Sequence, residues 1–225
     1  MKKVFYNSGY YFIILIPLIL LGFFKSYFVQ FPNFEKKTTI IVHFHALCLS
    51  CWVLLLIVQP LLVRYKKLKI HRTLGKFTYV LVPLILCSVA GMTIRSVSHL
   101  PKPVSTEMIL NDIYLPVIDG ILFVTFYTLA IINKKNIQKH SSYMIATGLI
   151  FINPSVARMG SYWLNLPFYI SLLCTVLLID LITIFLLFYL KKKGLNYRSF
   201  ATVLALFLMY HISIAGLGYF RHWFQ

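Results

Sequence analysis

Negative charge is scarce in this sequence, and charge of either sign is uncommon. The 225 residues include 5 Asp and Glu against 22 Lys and Arg, and 12% of the chain is charged, whereas a soluble domain is about 25% charged. Hydrophobic residues make up 60% of the chain, and the mean hydropathy is +0.81. One small soluble domain cannot bury that much apolar surface, so we expect a lipid bilayer to be the solvent of this protein.

Patterns that mark several other protein classes are missing as well. The alternation of polar and apolar residues in membrane β-barrel strands is absent, and so are low-complexity segments and convincing internal repeats. The metal-binding patterns H-E-x2-H and H-x3-H do not occur, which disfavours a metal-dependent membrane enzyme. The four cysteines all fall in apolar runs. Cys48 and Cys51 have C-x-x-C spacing, but a redox motif needs a strand-to-helix turn and polar access, so we interpret them as packing residues.

The long hydrophobic runs predict transmembrane helices. A spanning helix needs about 17–25 residues, and helices satisfy their own backbone hydrogen bonds inside lipid. We therefore predict an all-α fold, a polytopic transmembrane helix bundle that forms one integral membrane domain over residues 1–225. The seven predicted helices cover residues 6–24, 40–64, 77–94, 113–132, 143–159, 167–190 and 200–220.

The first of these segments has an alternative interpretation. Met1-Lys2-Lys3 followed by an apolar run is also typical of a signal peptide. The run ends in Leu21-Gly22-Phe23-Phe24 without a small-x-small cleavage site. A retained first helix is therefore our expectation.

The basic residues predict the orientation in the membrane. With a cytoplasmic amino terminus, fifteen of the 22 basic residues lie on the cytoplasmic side, whose loops contain no Asp or Glu, whereas Glu35, Glu107 and Asp112 lie outside. An excess of Lys and Arg in cytoplasmic loops sets orientation, so we expect an external carboxyl terminus. The basic face would contact anionic lipid headgroups. This distribution accounts for the net charge of +17 without nucleic acid as a partner, and we expect a multi-pass protein of the bacterial inner (cytoplasmic) membrane.

Polar side chains inside the apolar runs are the candidate functional residues. His45, Trp52 and Gln59 are spaced by seven and share one face of the second helix, whereas His43 lies about 160° away at about 100° per residue. Lipid offers no hydrogen bonds, so this polar face should point into the bundle.

Five further polar residues lie within the predicted spans, where such groups are costly and are functional candidates. By depth, we expect Asp119, Arg158 and His211 in the outer half with His45, and an ion pair between Asp119 and Arg158. The alternative is that these groups have a purely structural role and form hydrogen bonds that hold neighbouring helices together. The five residues are Asp119, Asn153, Arg158, Asp180 and His211.

The cytoplasmic boundary carries its own polar set. His71 and Arg72 enter the third helix, and Lys139 and His140 enter the fifth. Basic and histidine residues at this position are ordinarily membrane anchors, and that alternative stays open.

These residues resemble a family of uncharacterised bacterial multi-pass membrane proteins. The resemblance covers about residues 40 to 159 and His211, and it implies a bundle of about seven helices in the inner membrane without implying an activity. The residues that carry it are His45, Ala46, Trp52, Gln59, Leu62, His71, Arg72, Leu74, Gly75, Lys139, His140, Met144, Thr147, Ala157 and Arg158.

A weaker likeness is to the two-haem transmembrane b-type cytochromes. It rests on His45, on Gln59 to Leu62 and on His71 to Gly75, and it implies bis-histidine haem b groups near each membrane face. The inner ligands would be His71 and His140, and the outer ligands His45 and His211. The residues that would support the ligands or contact quinone or substrate are Trp52, Gln59, Arg72, Asp119, Asn153 and Arg158.

Three hypotheses about function follow. The first is a b-type haem protein that moves electrons between a quinol pool and an acceptor. The second is a proton-coupled transporter or channel-like protein in which Asp119, Arg158 and His211 line the path, because buried titratable groups suit proton relays. The third is a structural or assembly subunit that binds a membrane protein partner.

Overall fold

In a computed structural model of the chain, residues 3–34 and 39–219 are described. Of these residues 82% are helical, and no strand occurs among them. A single turn of 3-10 helix covers Phe28–Gln30, and a π-helical turn covers Leu110–Tyr114. The α-helices are α1 (Lys3–Tyr6), α2 (Ser8–Phe12), α3 (Leu15–Phe23), α4 (Ile40–Arg64), α5 (Leu68–Ser98), α6 (Thr106–Ile109), α7 (Leu115–Ile132), α8 (Ile137–Leu149), α9 (Ile152–Trp163), α10 (Phe168–Lys192) and α11 (Arg198–Tyr219).

Five helical segments in the described ranges are long and apolar enough to cross a membrane. The all-α prediction is therefore confirmed and a membrane protein is indicated, whereas seven spans and the orientation stay predictions. The five segments are Ile40–Arg64, Leu68–Ser98, Thr106–Ile132, Phe168–Lys192 and Arg198–Gly216.

The loops sort into two ends of the bundle. The turns after α4, α7 and α10 lie together, since the amide nitrogen of Asn196 donates to Gln138 Oε1 at 2.9 Å and His140 interacts electrostatically with His71. We call this end the basic end, because its three turns are rich in Lys and Arg. The loops that precede α4, α6 and α10 lie at the other, distal end.

The first apolar segment, Ser8–Phe23, reaches both ends although it is shorter than the five spans. At the basic end, Arg64 donates to Asn7 Oδ1. At the distal end, Trp163 Nε1 donates to the carbonyl oxygen of Leu21 at 3.0 Å. The segment therefore crosses the height of the bundle, antiparallel to α4.

Proline explains why two predicted helices are interrupted. The predicted helix 6–24 is divided between α2 and α3, and 143–159 between α8 and α9; Pro17 and Pro154 are each the third residue of the second piece. A proline lacks an amide hydrogen and is tolerated in the first turn, where no intrahelical acceptor exists. Pro60 and Pro83, by contrast, lie inside helices that continue past them.

Small residues bring several helices into close contact. A Cβ added to Gly22 of α3 would lie 2.7 Å from the carbonyl oxygen of Ser155 in α9. A Cβ added to Gly160 of α9 would lie 2.6 Å from Ser171 Oγ in α10. Such contacts are typical of helices that associate in lipid.

Candidate functional site

A hydrogen-bonded histidine and aspartate lie in the middle of the bundle. His211 Nδ1 is 3.1 Å from Asp180 Oδ2, and the two side chains are 7% and 16% exposed. Asp180 lies near the middle of α10 and His211 near the middle of α11. This is the only contact between an acidic and a basic side chain among the described residues.

The hydrogen bond fixes the tautomer of His211. A carboxylate only accepts hydrogen bonds, so His211 Nδ1 carries the hydrogen and Nε2 keeps its lone pair. In the described part of the chain, neither His211 Nε2 nor Asp180 Oδ1 has a hydrogen-bond partner, and both atoms are buried. The pair therefore presents a proton acceptor at Nε2, with a carboxylate behind it that stabilises the imidazolium form.

A second buried polar group surrounds Asp119. Asn153 Nδ2 lies 3.3 Å from both carboxylate oxygens of Asp119 and 2.6 Å from the hydroxyl of Tyr210. The Tyr210 hydroxyl is also a hydrogen-bond partner of Asp119. The carboxylate is thus held by donors from two other helices, α9 and α11.

Tyr210 connects this group to the histidine–aspartate pair. Tyr210 and His211 are consecutive in α11, and their ring centroids are 5.2 Å apart. On the distal side, Tyr114 donates to Ser213 Oγ, which donates to the Tyr210 carbonyl oxygen at 2.6 Å. Polar groups therefore extend from the π-helical turn to Asp180.

The predicted ion pair between Asp119 and Arg158 is wrong. Asp119 contacts Asn153 and Tyr210 instead, and among the described residues no acidic side chain forms an ion pair with Arg158. The Arg158 guanidinium lies over the ring of Phe23 at 4.8 Å. The position of a residue along its helix does not fix the direction in which its side chain points around that helix.

Arg158 lies in the lining of a cavity at the distal end. The cavity has a volume of about 550 Å³ and is bordered by the α6–α7 segment and by α9. Glu107 and Asp112 also line it. Side chains of both charges therefore line an opening at the distal end of the bundle, where the series of buried polar groups begins.

The predicted polar face of α4 is found, but its three members have separate partners. His45 Nδ1 lies 2.9 Å from Ser88 Oγ, and His45 interacts electrostatically with Arg158. Trp52 is fully buried, and its Nε1 donates to Thr147 Oγ1 at 3.3 Å. These bonds join α4 to α5 and α8, as the interhelical alternative expected.

Opposite this face, His43 contacts the loop before α4. The Tyr27 hydroxyl lies 2.8 Å from His43 Nδ1. Tyr27 lies outside the spanning helices, and burial raises the pKa of its phenol, so the phenol keeps its proton in this hydrogen bond.

Gln59 contacts the histidine of the basic end rather than His45. With its amide oriented to satisfy its neighbours, Gln59 Nε2 donates to His71 Nδ1 at 2.5 Å, and Gln59 Oε1 accepts from the Gly75 amide at 3.0 Å. His140 Nδ1 donates to the carbonyl oxygen of Ala130 at 2.9 Å. The predicted anchor Arg72 is exposed.

Three of the four predicted haem ligands have the ring-nitrogen pattern that iron requires. A haem ligand uses an unprotonated ring nitrogen, while its other nitrogen donates to an oxygen acceptor. His45, His140 and His211 satisfy this, because each Nδ1 has an oxygen partner in Ser88, Ala130 or Asp180. His71 does not, because its Nδ1 accepts from Gln59 and its hydrogen is then on Nε2.

The positions of these histidines are less favourable for haem binding than their tautomers, because two ligands must face each other across one haem. The interior between α4 and α11 is filled by α7 and α8, with Trp52, Phe126 and Phe207 almost completely buried. The Phe126 and Phe207 ring centroids are 5.4 Å apart. His45 and His211 therefore do not face each other across an open space, and the arrangement does not fit an outer bis-histidine haem. No cluster of three metal-ligating side chains occurs in the residues that the structure describes.

The sequence analysis missed Tyr210, and it named Asp180 and His211 as candidates without pairing them. Asp180 and His211 are nearly equidistant from the turn between α10 and α11, so the hairpin places them at equal height. The number of residues between each of them and the turn could therefore have predicted the pair. Tyr210 gave no such signal, since tyrosine is frequent in this chain.

Comparisons of this chain with models of protein families, with curated proteins and with solved structures find no match. The resemblances to multi-pass and haem-binding families therefore stay predictions, and the geometry of the polar groups carries the functional argument.

Proposed function

We propose that this protein is a proton-translocating membrane protein of the transporter class. The observation that carries the proposal is the buried His211–Asp180 pair with its free Nε2 atom. Such a pair is costly inside a membrane and is typical of proton pathways.

In this proposal, protons enter from the distal end. Asp119, Asn153 and Tyr210 form the upper part of the path, and His211 accepts the proton at Nε2 while Asp180 stabilises the charge. The polar series ends there, because Phe207, Val203 and Phe200 of α11 are almost fully buried below it. Release toward the basic end then requires that the helices rearrange around this apolar layer, as alternating access demands.

The proposal includes a topology of seven spans. The first segment and the α8–α9 pair each cross the bundle height, in addition to the five long helices, and the basic end faces the cytoplasm. The distribution of Lys and Arg supports this orientation. The protein then belongs in the bacterial inner membrane.

Proton flux into vesicles tests the relay. Purified protein in liposomes that enclose a pH-sensitive dye is exposed to a potassium diffusion potential, and we expect proton entry faster than in protein-free liposomes. His211→Gln retains a donor toward Asp180 but takes up no proton, so its flux should fall to the protein-free rate. His43→Gln is the matched control and should retain the wild-type flux, because His43 contacts Tyr27 away from the path. Wild-type flux equal to that of empty liposomes at every potential and in both directions refutes the proposal.

Electron transfer through haem b is a second candidate. The oxygen partners of Nδ1 in His45, His140 and His211 are compatible with ligation through Nε2, although neither predicted pair of ligands fits a bis-histidine haem in this structure. Bound haem would supply one-electron chemistry, and quinone would be the partner. A reduced-minus-oxidised visible spectrum of protein purified from haem-supplied cells tests this candidate. A haem band that His140→Ala removes supports it, and the absence of a band refutes it.

A further inference from the structure

The distal cavity is lined by Arg158, whose Nε atom is buried and has no hydrogen-bond partner among the described residues. The guanidinium packs over Phe23 at 4.8 Å, which holds it in place. A buried guanidinium nitrogen without an acceptor is costly unless a ligand supplies one. Its planar fork matches the two oxygens of a carboxylate or phosphate.

Acidic groups of the α6–α7 segment also line the cavity. Asp112 lies in the π-helical turn Leu110–Tyr114, a distortion that is frequent at functional sites. Asn111 Nδ2 donates to Asp112 Oδ1 at 2.9 Å, which orients the carboxylate and leaves Oδ2 available. Glu107 lies at the exposed rim.

The two charges interact without contact. Arg158 and Asp112 influence each other electrostatically, but they do not form an ion pair. Both line the same cavity of about 550 Å³. The space between them therefore suits a molecule that brings an anionic group to one wall and a cationic group to the other.

We propose that this cavity binds a small zwitterion with an anionic group and a primary ammonium group. The anionic group binds Arg158, and the ammonium group binds Asp112, with Glu107 attracting it at the rim. Met108 and Phe168 supply apolar lining for a hydrocarbon side chain, as in a free α-amino acid. This site would define the substrate class of the proposed transporter. Only the transport step rests on the proposed function, because binding is measurable without proton movement.

Calorimetry on the purified full-length protein in detergent tests the site with three probes. L-leucine has both charges, N-acetyl-L-leucine lacks the ammonium group, and L-leucinamide lacks the carboxylate. We expect leucine to bind at least about tenfold more tightly than either derivative, because each loses one charge-assisted interaction. Equal binding of the three probes overturns the proposal.

Variants assign each charge to its residue. Asp112→Asn should abolish the preference for leucine over N-acetyl-leucine, and Arg158→Gln should abolish the preference over leucinamide. Lys102→Gln, a matched loss of an exposed charge in the loop before α6, should keep both preferences. If Arg158→Gln fails to fold, Asp112→Asn still decides the question, since its half-exposed site tolerates the isosteric amide.

A lipid headgroup can present the same chemistry, so the assay includes short-chain phosphatidylethanolamine and phosphatidylcholine. Binding of leucine assigns a free solute. Binding of phosphatidylethanolamine, but of neither leucine nor phosphatidylcholine, assigns a lipid headgroup. Saturable binding of neither leucine nor phosphatidylethanolamine refutes the site. Absence of binding with intact proton flux refutes the zwitterion site alone, and binding without proton flux refutes the relay alone.

Discussion

Asp180 and His211 lie at the same height of two antiparallel helices, 3.1 Å apart and both largely buried. Each side chain is the other's only polar partner in the described part of the chain. Their contributions to stability therefore depend on each other, and the pair should respond differently to single and double replacement.

Replacing either member of the pair alone should destabilise the protein. In His211→Leu the Asp180 carboxyl loses its donor, and in Asp180→Leu the imidazole loses its acceptor. Each change should cost about 1–3 kcal/mol, because a buried polar group is left unsatisfied. The double variant should cost less than the sum, and thermal unfolding in detergent measures all three. Asp180→Asn is the conservative control, since it keeps an acceptor oxygen. Strict additivity of the two single changes would contradict the pairing.

Gly22→Ala should weaken the docking of the first segment. The added Cβ would lie 2.7 Å from the carbonyl oxygen and 2.8 Å from the Cα of Ser155, and both are backbone atoms that cannot move aside. Overpacking of this kind costs about 1–3 kcal/mol. Gly120→Ala is the matched control, because its Cβ would meet Val89 at an ordinary 3.7 Å. Equal melting temperatures for the two variants would show that α3 does not pack against α9 as described.

Tyr210→Phe should reduce proton flux and stability together. The change removes the hydroxyl that bonds Asn153 and Asp119, and it leaves Asn153 with one partner fewer. We expect a loss of about 1 kcal/mol and slower proton entry in the liposome assay. Tyr79→Phe is the control, since Tyr79 is exposed on α5. A Tyr210→Phe protein with wild-type flux would remove Tyr210 from the proton path.

Reporter fusions should establish the orientation. A reporter placed between Lys192 and Gly194, at the basic end, should read as cytoplasmic, and one placed after Gln225 should read as external. The reason is the concentration of fifteen of 22 basic residues on one side. If both reporters read on the same side, the count of seven spans is wrong.

The sequence predicted the positions of the apolar helices well. The helix 40–64 matches α4 at both ends, since Ile40–Arg64 is bounded by polar sequence. The helix predicted over 77–94 extends instead over Leu68–Ser98. Hydropathy marks only the lipid-exposed length of a helix, whereas its backbone hydrogen bonds continue into the polar boundary.

The candidate site was predicted only in part. His211 and Asp119 were identified from their polarity, but their partners depend on how neighbouring helices are rotated, which hydropathy does not encode. Gln59 was assigned to the face of His45, yet it reaches across the α4–α5 turn to His71. A polar stripe predicts that a helix face is buried. The hydrogen-bond partner of each polar side chain depends on how the helices pack, so it is known only from the structure.

The first segment has a consequence for the surrounding lipid. Ser8–Phe23 reaches from Arg64 to Trp163, yet at about 1.5 Å per residue it is only about 24 Å long. The hydrocarbon layer of a bilayer is about 30 Å thick, and lipids adjust to a shorter helix by thinning locally. If this segment spans the bilayer as proposed, we expect the lipid layer beside it to be thinner than beside α5 and α10, and lipids with shorter acyl chains should gather along that flank.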